Sequence, residues 1–151
     1  MVNNSLPWKN CHNSKITGEE LHYEQAVSKN GFELLRIRGK VDCDAVTGWR
    51  AYLDPALRVD YDRNIQSAKT TKILGANLAQ VVQTTNPVLT VSSRDLHQVI
   101  WSNILEDGTV KLVAYDLPDE PAVEGNVRMR VPVAGLTLIP DPDDPGKCEL
   151  L

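Results

Sequence analysis

Aromatic residues, clusters of like charge and long apolar runs are all scarce in this chain, and each scarcity excludes a class of protein. Aromatic residues make up 5% of its 151 positions, so we expect a core built mainly from Val, Leu, Ile and Ala. The formal net charge is −4 and no basic stripe occurs, which argues against nucleic-acid binding and strong electrostatic attachment to anionic membranes. No apolar run approaches the roughly 18 residues that a transmembrane helix needs.

Cysteine is also scarce. Cys11, Cys43 and Cys148 lie far apart in the sequence and form no CxxC pair, so neither a disulfide framework nor a zinc site is predicted, and we expect reduced thiols. Residues 1–15 lack the apolar segment of a secretory signal. These features predict a cytoplasmic protein.

Catalytic signatures are missing as well. The chain has no serine-hydrolase, zinc-protease, P-loop or dinucleotide-binding motif, and His12, His22 and His97 are scattered along it. We therefore expect a protein that is not an enzyme and that uses no cofactor and no metal.

The first third of the chain predicts a hairpin followed by a helix. A loose polar lead-in is expected up to Gly18, and two strands, Leu21–Val27 and Phe32–Val41, flank the turn dipeptide Asn30-Gly31. A helix over 44–53 follows, which Asp42 or Asp44 can cap and which Pro55 ends.

The remaining sequence predicts a mainly antiparallel sheet. Gly-containing turns separate the strand candidates, and Pro132 with Gly135 favours a bulge or an edge position in the penultimate one. The candidates are Ile65–Leu74, Leu78–Thr84, Leu96–Leu105, Thr109–Leu117, Val127–Ile139 and a strand starting at Cys148. With the helix packed on one face of the sheet, the fold class is α+β, in one domain spanning residues 1–151.

Several segments, taken in order, resemble the START (StAR-related lipid transfer) family, and its phospholipid-carrying branch in particular. These are Trp8, the stretch from Phe32 to Asp62, Ser93-Arg94-Asp95 and Val127-Arg128-Met129. The resemblance implies a helix-grip fold, in which a curved antiparallel sheet wraps a long C-terminal helix and the tunnel between them holds one lipid. Leu151 precedes the last strand and that helix, so we expect a C-terminally incomplete START-like domain.

The resemblance also implies a headgroup site. Arg58 and Asp62 match the pair that contacts phosphocholine in phosphatidylcholine carriers. Arginine offers a planar fork to phosphate, and a carboxylate can balance a quaternary ammonium. The alternative is an ordinary surface ion pair at i, i+4 spacing.

Four further positions depart from the family pattern. Gln83 and Leu96 stand where choline carriers place aromatic residues around the ammonium, so choline specificity is not implied. Val81 and Ile100 stand where sterol carriers place a buried acid and an arginine, so the predicted tunnel is more apolar.

Strand alternation predicts which side chains line the tunnel. If Leu96, Gln98 and Ile100 point inward, Ala79, Val81 and Gln83 of the preceding strand share that face. Gln83 and Gln98 are then the polar groups that meet a lipid headgroup or ordered water. The alternative is a register slip that turns both glutamines to solvent.

The loop from Thr85 to Ser92 matches the omega loop at the tunnel mouth of START domains. Its Val88, Leu89 and Val91 are predicted to make transient membrane contact; the alternative is that they pack into the local core.

The function predicted is binding, and transfer between membranes, of one phospholipid-like lipid. A second reading is a structural subunit whose open face is covered by a protein partner or by self-association. A third is a cyclase-type enzyme on the same fold.

Overall fold

The computed structural model describes residues 6–16 and 18–151, which form ten strands and two helices. The helices are α1 (Ala45–Leu53) and α2 (Pro55–Tyr61). The strands are β1 (Lys9–Ile16), β2 (Glu19–Val27), β3 (Glu33–Val41), β4 (Ile65–Gly75), β5 (Leu78–Thr85), β6 (Arg94–Ile104), β7 (Val110–Asp116), β8 (Val127–Arg128), β9 (Val133–Pro140) and β10 (Cys148–Leu150). None of the helices in these ranges is long and apolar enough to cross a bilayer.

The strands form one curved sheet in the order β1-β2-β3-β10-β9-β7-β6-β5-β4. All neighbours along this path are antiparallel, whereas β8 pairs with β6 in parallel. The three residues of β10 pair with both β3 and β9 and so join the two halves of the sheet. The predicted strand starting at Cys148 is therefore confirmed as β10.

Two strand predictions need correction. The polar lead-in contains a strand, β1, which its pairing with β2 stabilises despite a sequence with few apolar residues. The predicted strand 127–139 is split, with the parallel β8 at one end and β9 at the other. Gly135 pairs in regular register with Val113, and β9 lies between β7 and β10, so neither a bulge nor an edge occurs there.

The helix caps follow from two aspartates. The Asp44 carboxylate accepts hydrogen bonds from the backbone N–H groups of Val46 and Thr47 at 3.0 and 2.9 Å, so Asp44 rather than Asp42 caps α1. Asp54 does the same for α2, accepting from Ala56 N–H at 2.9 Å. Pro55 thus ends one helix and occupies the first turn of the next, where its missing N–H costs nothing. The turn predicted after Pro55 is a seven-residue helix.

The core lies between α1 and one side of the sheet, which we call the inner face. Under the end of α1, Tyr52 and Leu53 pack against apolar strand residues, of which Leu112 is almost fully buried. A second cluster joins Ala45 and Trp49 of α1 to Leu138 and Cys148. The opposite side of the sheet is called the outer face.

Candidate functional site

The register of β5 and β6 places the predicted tunnel residues on the inner face. Gln83 is opposite Leu96, and Val81 is opposite Gln98. Paired residues of antiparallel strands project to the same side, so these four side chains share a face with Ile100. The glutamines are buried and not turned to solvent, which excludes the register slip.

Val81 and Ile100 lie at the centre of this face, where they are part of the packed core. They contact Leu112 and Ala114 of the neighbouring strand and lie beneath Tyr52 and Leu53 of α1. In this structure the helix therefore fills the space above them. Their role as lipid contacts stays a prediction.

Arg58 and Asp62 form a partly buried pair on α2. The distance from Arg58 Nη2 to Asp62 Oδ2 is 3.4 Å, and the side chains are 18% and 22% exposed. Arg58 Nε is buried and makes no hydrogen bond to any described residue. The pair is thus more enclosed than an ordinary surface ion pair, and it retains an unused donor.

Two tyrosines surround this guanidinium, and the sequence did not point to either. The Arg58 Cζ atom is 4.5 Å from the centre of the Tyr52 ring and 6.0 Å from that of Tyr61. Burial lowers the pKa of Arg58, but Tyr52, Tyr61 and Asp62 outweigh it, so the pKa lies above its ordinary value. Tyr61 lies three residues after Arg58, so helical spacing on α2 could have revealed it; Tyr52 requires knowledge of how α1 and α2 pack.

The predicted membrane loop has an exposed apolar tip. Val88 and Val91 bridge through two backbone hydrogen bonds of 3.1 and 2.9 Å, which holds Leu89 at the turn. Leu89 is fully exposed and has a φ of 53°, a left-handed conformation that is rare for a bulky residue. Val88 and Val91 are exposed as well, so the alternative that the loop packs into the core is wrong.

The motifs around Asp95 and Arg128 meet on the outer face. Asp95 is fully buried, and its Oδ2 accepts hydrogen bonds from Arg128 Nη2 at 3.0 Å and from the Val123 N–H at 2.9 Å. His97 Nε2 lies 3.0 Å from the same oxygen. Burial raises the pKa of Asp95, but the hydrogen bonds from Arg128 and Val123 and the nearby charges lower it by more. The pKa of Asp95 therefore lies below its usual value.

Arg128 also donates to the carbonyl groups of Leu117 and Pro121, at 3.3 and 2.8 Å. It therefore fastens the segment between β7 and β8 over the outer face. This arrangement explains both motifs as structural features, remote from the inner face.

Solved StAR-related lipid transfer structures superpose on nearly all of this chain. Human StAR-related lipid transfer protein 5 matches with a TM-score of 0.82 and 24% identity, over 98% of this chain and 71% of that protein. The lipid transfer and protein localization domain of human StarD13 matches with a TM-score of 0.80 and 19% identity, over 96% of this chain and 72% of that domain. A STAR-related lipid transfer protein from Xanthomonas axonopodis matches with a TM-score of 0.71 and 18% identity, over 95% of this chain and 77% of that protein.

The fold is that of the START domains. At sequence identities of 24% or less, these superpositions establish the architecture alone. No protein-family model and no curated protein sequence matches the chain.

Among the described residues, none covers the inner face of this START fold at β3. Leu35 is 79% exposed and Ile37 is also exposed, although both share their side of the strand with Val41, which packs against the core. Unpaired apolar surface of this kind marks a contact with a ligand, a partner or a membrane.

An open groove also runs along the two helices. Its volume is about 360 Å³, and it is lined by Trp49, Arg50, Leu53, Asp54 and Leu57. A smaller cavity of about 190 Å³ lies beside His97, Leu117 and Glu120. Of these two, only the groove has a volume in the range typical of ligand sites, and most of the residues that line it are apolar.

Proposed function

We propose that this chain binds a single phospholipid-like lipid on its inner face and carries it between membranes without catalysing a reaction. The observation that carries the proposal is a START fold whose inner face presents exposed Leu35 and Ile37. Human StAR-related lipid transfer protein 5 and the StarD13 domain, which share this fold, are named for lipid transfer.

The driving force would be burial of hydrocarbon. Each buried methylene contributes about 0.8 kcal/mol, so a dozen of them contribute on the order of 10 kcal/mol where water is excluded. The exposed β3 residues and the groove at Trp49 and Leu57 offer such a surface. Excluding water completely requires a cover over the inner face.

Arg58 and Asp62 would form the headgroup site. The buried Nε of Arg58 has no hydrogen-bond partner among the described residues, and a guanidinium can offer a fork to a phosphate group. Tyr52 and Tyr61 keep it in place through contacts with their ring faces. Gln83 and Leu96 offer no aromatic ring to a quaternary ammonium, so the proposal includes no preference for choline.

Val88, Leu89 and Val91 would touch the bilayer during loading and release. Their exposed side chains form an apolar tip on a loop held by two backbone hydrogen bonds. With a net charge of −4, this contact would depend on apolar insertion and not on charge.

Native mass spectrometry of the purified chain, combined with transfer of a fluorescent phosphatidylglycerol between vesicles, tests the proposal. We expect a bound lipid mass and protein-dependent transfer, both reduced by Leu35→Asp on the inner face. Val133→Asp is the matched control, because Val133 is an exposed apolar strand residue on the outer face. No lipid mass and no transfer would contradict carriage, as would equal losses in both variants.

A structural subunit is the second candidate, and the same uncovered β3 surface favours it. In that case Leu35→Asp would abolish a protein complex, and the isolated chain would neither carry lipid nor accelerate transfer.

A further inference from the structure

Asp116 is a buried carboxylate on the inner face with one unused oxygen. It is the last residue of β7 and lies opposite Gln98 of β6, so both side chains project to the inner side. Its side chain is 4% exposed, and its Oδ2 accepts a hydrogen bond from Arg130 Nε. Its Oδ1 is buried and has no hydrogen-bond partner among the described residues.

An unpaired buried carboxylate oxygen is unusual in a folded protein. More than nine in ten buried polar groups have a partner, and an exception needs an explanation such as an absent ligand. Arg130 balances the charge but leaves Oδ1 free, so what is missing at this position is a hydrogen-bond donor.

A buried carboxamide is next to this oxygen. Gln98 is directly across from Asp116 on the adjacent strand, and side chains at such positions come within reach of one another. A second buried carboxamide, Gln83, is the diagonal neighbour of Gln98 on β5 and lies two strands from Asp116. A carboxamide both donates and accepts, whereas a carboxylate only accepts. Asp116 and Gln98 together therefore suit a guest that donates one hydrogen bond and accepts another, as a hydroxyl group does.

We propose that Asp116 and Gln98 form a subsite for a free hydroxyl group of the lipid, a choice that rests on the proposed lipid-binding function. The hydroxyl would donate to Asp116 Oδ1 and accept from the side-chain N–H of Gln98. A quaternary ammonium has no hydrogen to donate and would leave Oδ1 unpaired. The substrate class is thus a lipid with an unesterified hydroxyl, either in a phospholipid headgroup or on a glycerol backbone.

Matched pairs of lipids test this subsite and separate the two sources. Phosphatidylglycerol is compared with phosphatidylpropanol, which has the same charge but no hydroxyl, and dioleoylglycerol is compared with its methyl ether. Binding of the wild-type chain to each lipid is measured by competition against a fluorescent phosphatidylglycerol. We expect the hydroxyl-bearing member of at least one pair to bind about tenfold or more tightly, and the pair that responds identifies the source.

Variants assign this preference to the residues. Gln98→Leu and Asp116→Leu should reduce it to less than about twofold, mainly by weakening the hydroxyl-bearing member. Gln98→Leu leaves the Asp116–Arg130 pair intact, so it remains informative if Asp116→Leu does not fold. Gln80→Leu, which changes a glutamine on the outer face of the neighbouring strand β5, should retain the full preference.

The outcomes separate this subsite from the broader function. Equal binding of both members of each pair by the wild-type chain would overturn the subsite and leave lipid binding standing. A preference that persists in Gln98→Leu would also overturn it. Binding of none of the four lipids would overturn both proposals.

Discussion

Arg128 of β8 donates a hydrogen bond over 3.0 Å to Oδ2 of Asp95, a fully buried residue that lies 33 positions earlier in the sequence. The pair fixes the only parallel strand contact in the described part of the sheet, between β8 and β6. It lies on the outer face and does not touch the proposed lipid site, so it can be tested through stability alone.

Asp95→Asn should destabilise the fold by about 3 kcal/mol, because it leaves the Arg128 charge buried without its partner. The folded-state pKa of Asp95 lies below its ordinary value. The ionised Asp95 carboxylate therefore contributes to the free energy of unfolding at neutral pH. This contribution is lost as the pH falls through the ordinary pKa of about 3.9 toward the pKa of the folded state. In urea unfolding between pH 3 and 7, the difference in free energy of unfolding between wild type and Asp95→Asn should become smaller below about pH 4.

Asp60→Asn is the control, since Asp60 is exposed on α2. It should change the free energy of unfolding by less than about 0.5 kcal/mol. If the difference in free energy of unfolding between wild type and Asp95→Asn stayed constant down to pH 3, the ionised carboxylate of Asp95 would not be the source of the stability.

Leu89→Gly should weaken membrane contact without weakening the fold. Glycine accepts the φ of 53° at no steric cost, so the melting temperature should stay the same or rise slightly. Losing one leucine side chain from the bilayer costs about 2 kcal/mol, which corresponds to roughly thirtyfold weaker vesicle binding. Sedimentation with neutral phosphatidylcholine vesicles measures this.

Ile73→Gly provides a comparison, because Ile73 is exposed on β4, away from the loop. It should leave vesicle binding within about twofold. Vesicle binding that is unaffected by Leu89→Gly would remove the loop from the membrane contact.

Arg58→Ala should selectively weaken phospholipid ligands. Removing a charge-assisted hydrogen bond costs about 1.5–3 kcal/mol, or roughly tenfold to a hundredfold in affinity for phosphatidylglycerol. Affinity for dioleoylglycerol, which has no phosphate, should change little. Arg63→Ala is the control on an exposed neighbouring arginine. Equal losses for both lipids would assign Arg58 a structural role.

Several parts of this fold were predictable because their causes are local in sequence. Asp44 caps α1 through hydrogen bonds to residues two and three positions later. Gly31 and Gly108 take positive φ at two of the turns predicted between strands. The relative facing of β5 and β6 follows from side-chain alternation along two strands that share an apolar inner face, which is why the positions of Gln83 and Leu96 were correctly placed.

Other parts depend on contacts between distant segments and were missed. β1 has few apolar residues and is a strand because β2 pairs with it. The unused oxygen of Asp116 becomes evident only once the orientation of Arg130 is known. Tyr52 reaches Arg58 because Asp54 and Pro55 join two helices at a fixed angle. No periodicity in the sequence encodes these relationships.

The cysteines give a test of core packing that is independent of any ligand. Cys11 is exposed, whereas Cys148 is fully buried and packs against Cys43 in the cluster with Ala45. Burial, together with the neighbouring Cys43 thiol, raises the pKa of Cys148 to about 12. The thiolate is the reactive form, so at pH 8 Cys148 should be alkylated by iodoacetamide about a thousandfold more slowly than an ordinary free thiol.

Mass spectrometry should therefore show rapid modification of Cys11 and very slow modification of Cys148 in the native chain, and rapid modification of all three cysteines in urea. Cys11→Ser should abolish the rapid step at that position and leave the slow modification of Cys148 unchanged. Rapid native labelling of Cys148 would mean that β10 opens readily. Because β10 is the strand that joins β3 to β9, that result would also mean that the inner face is not held together as one continuous surface.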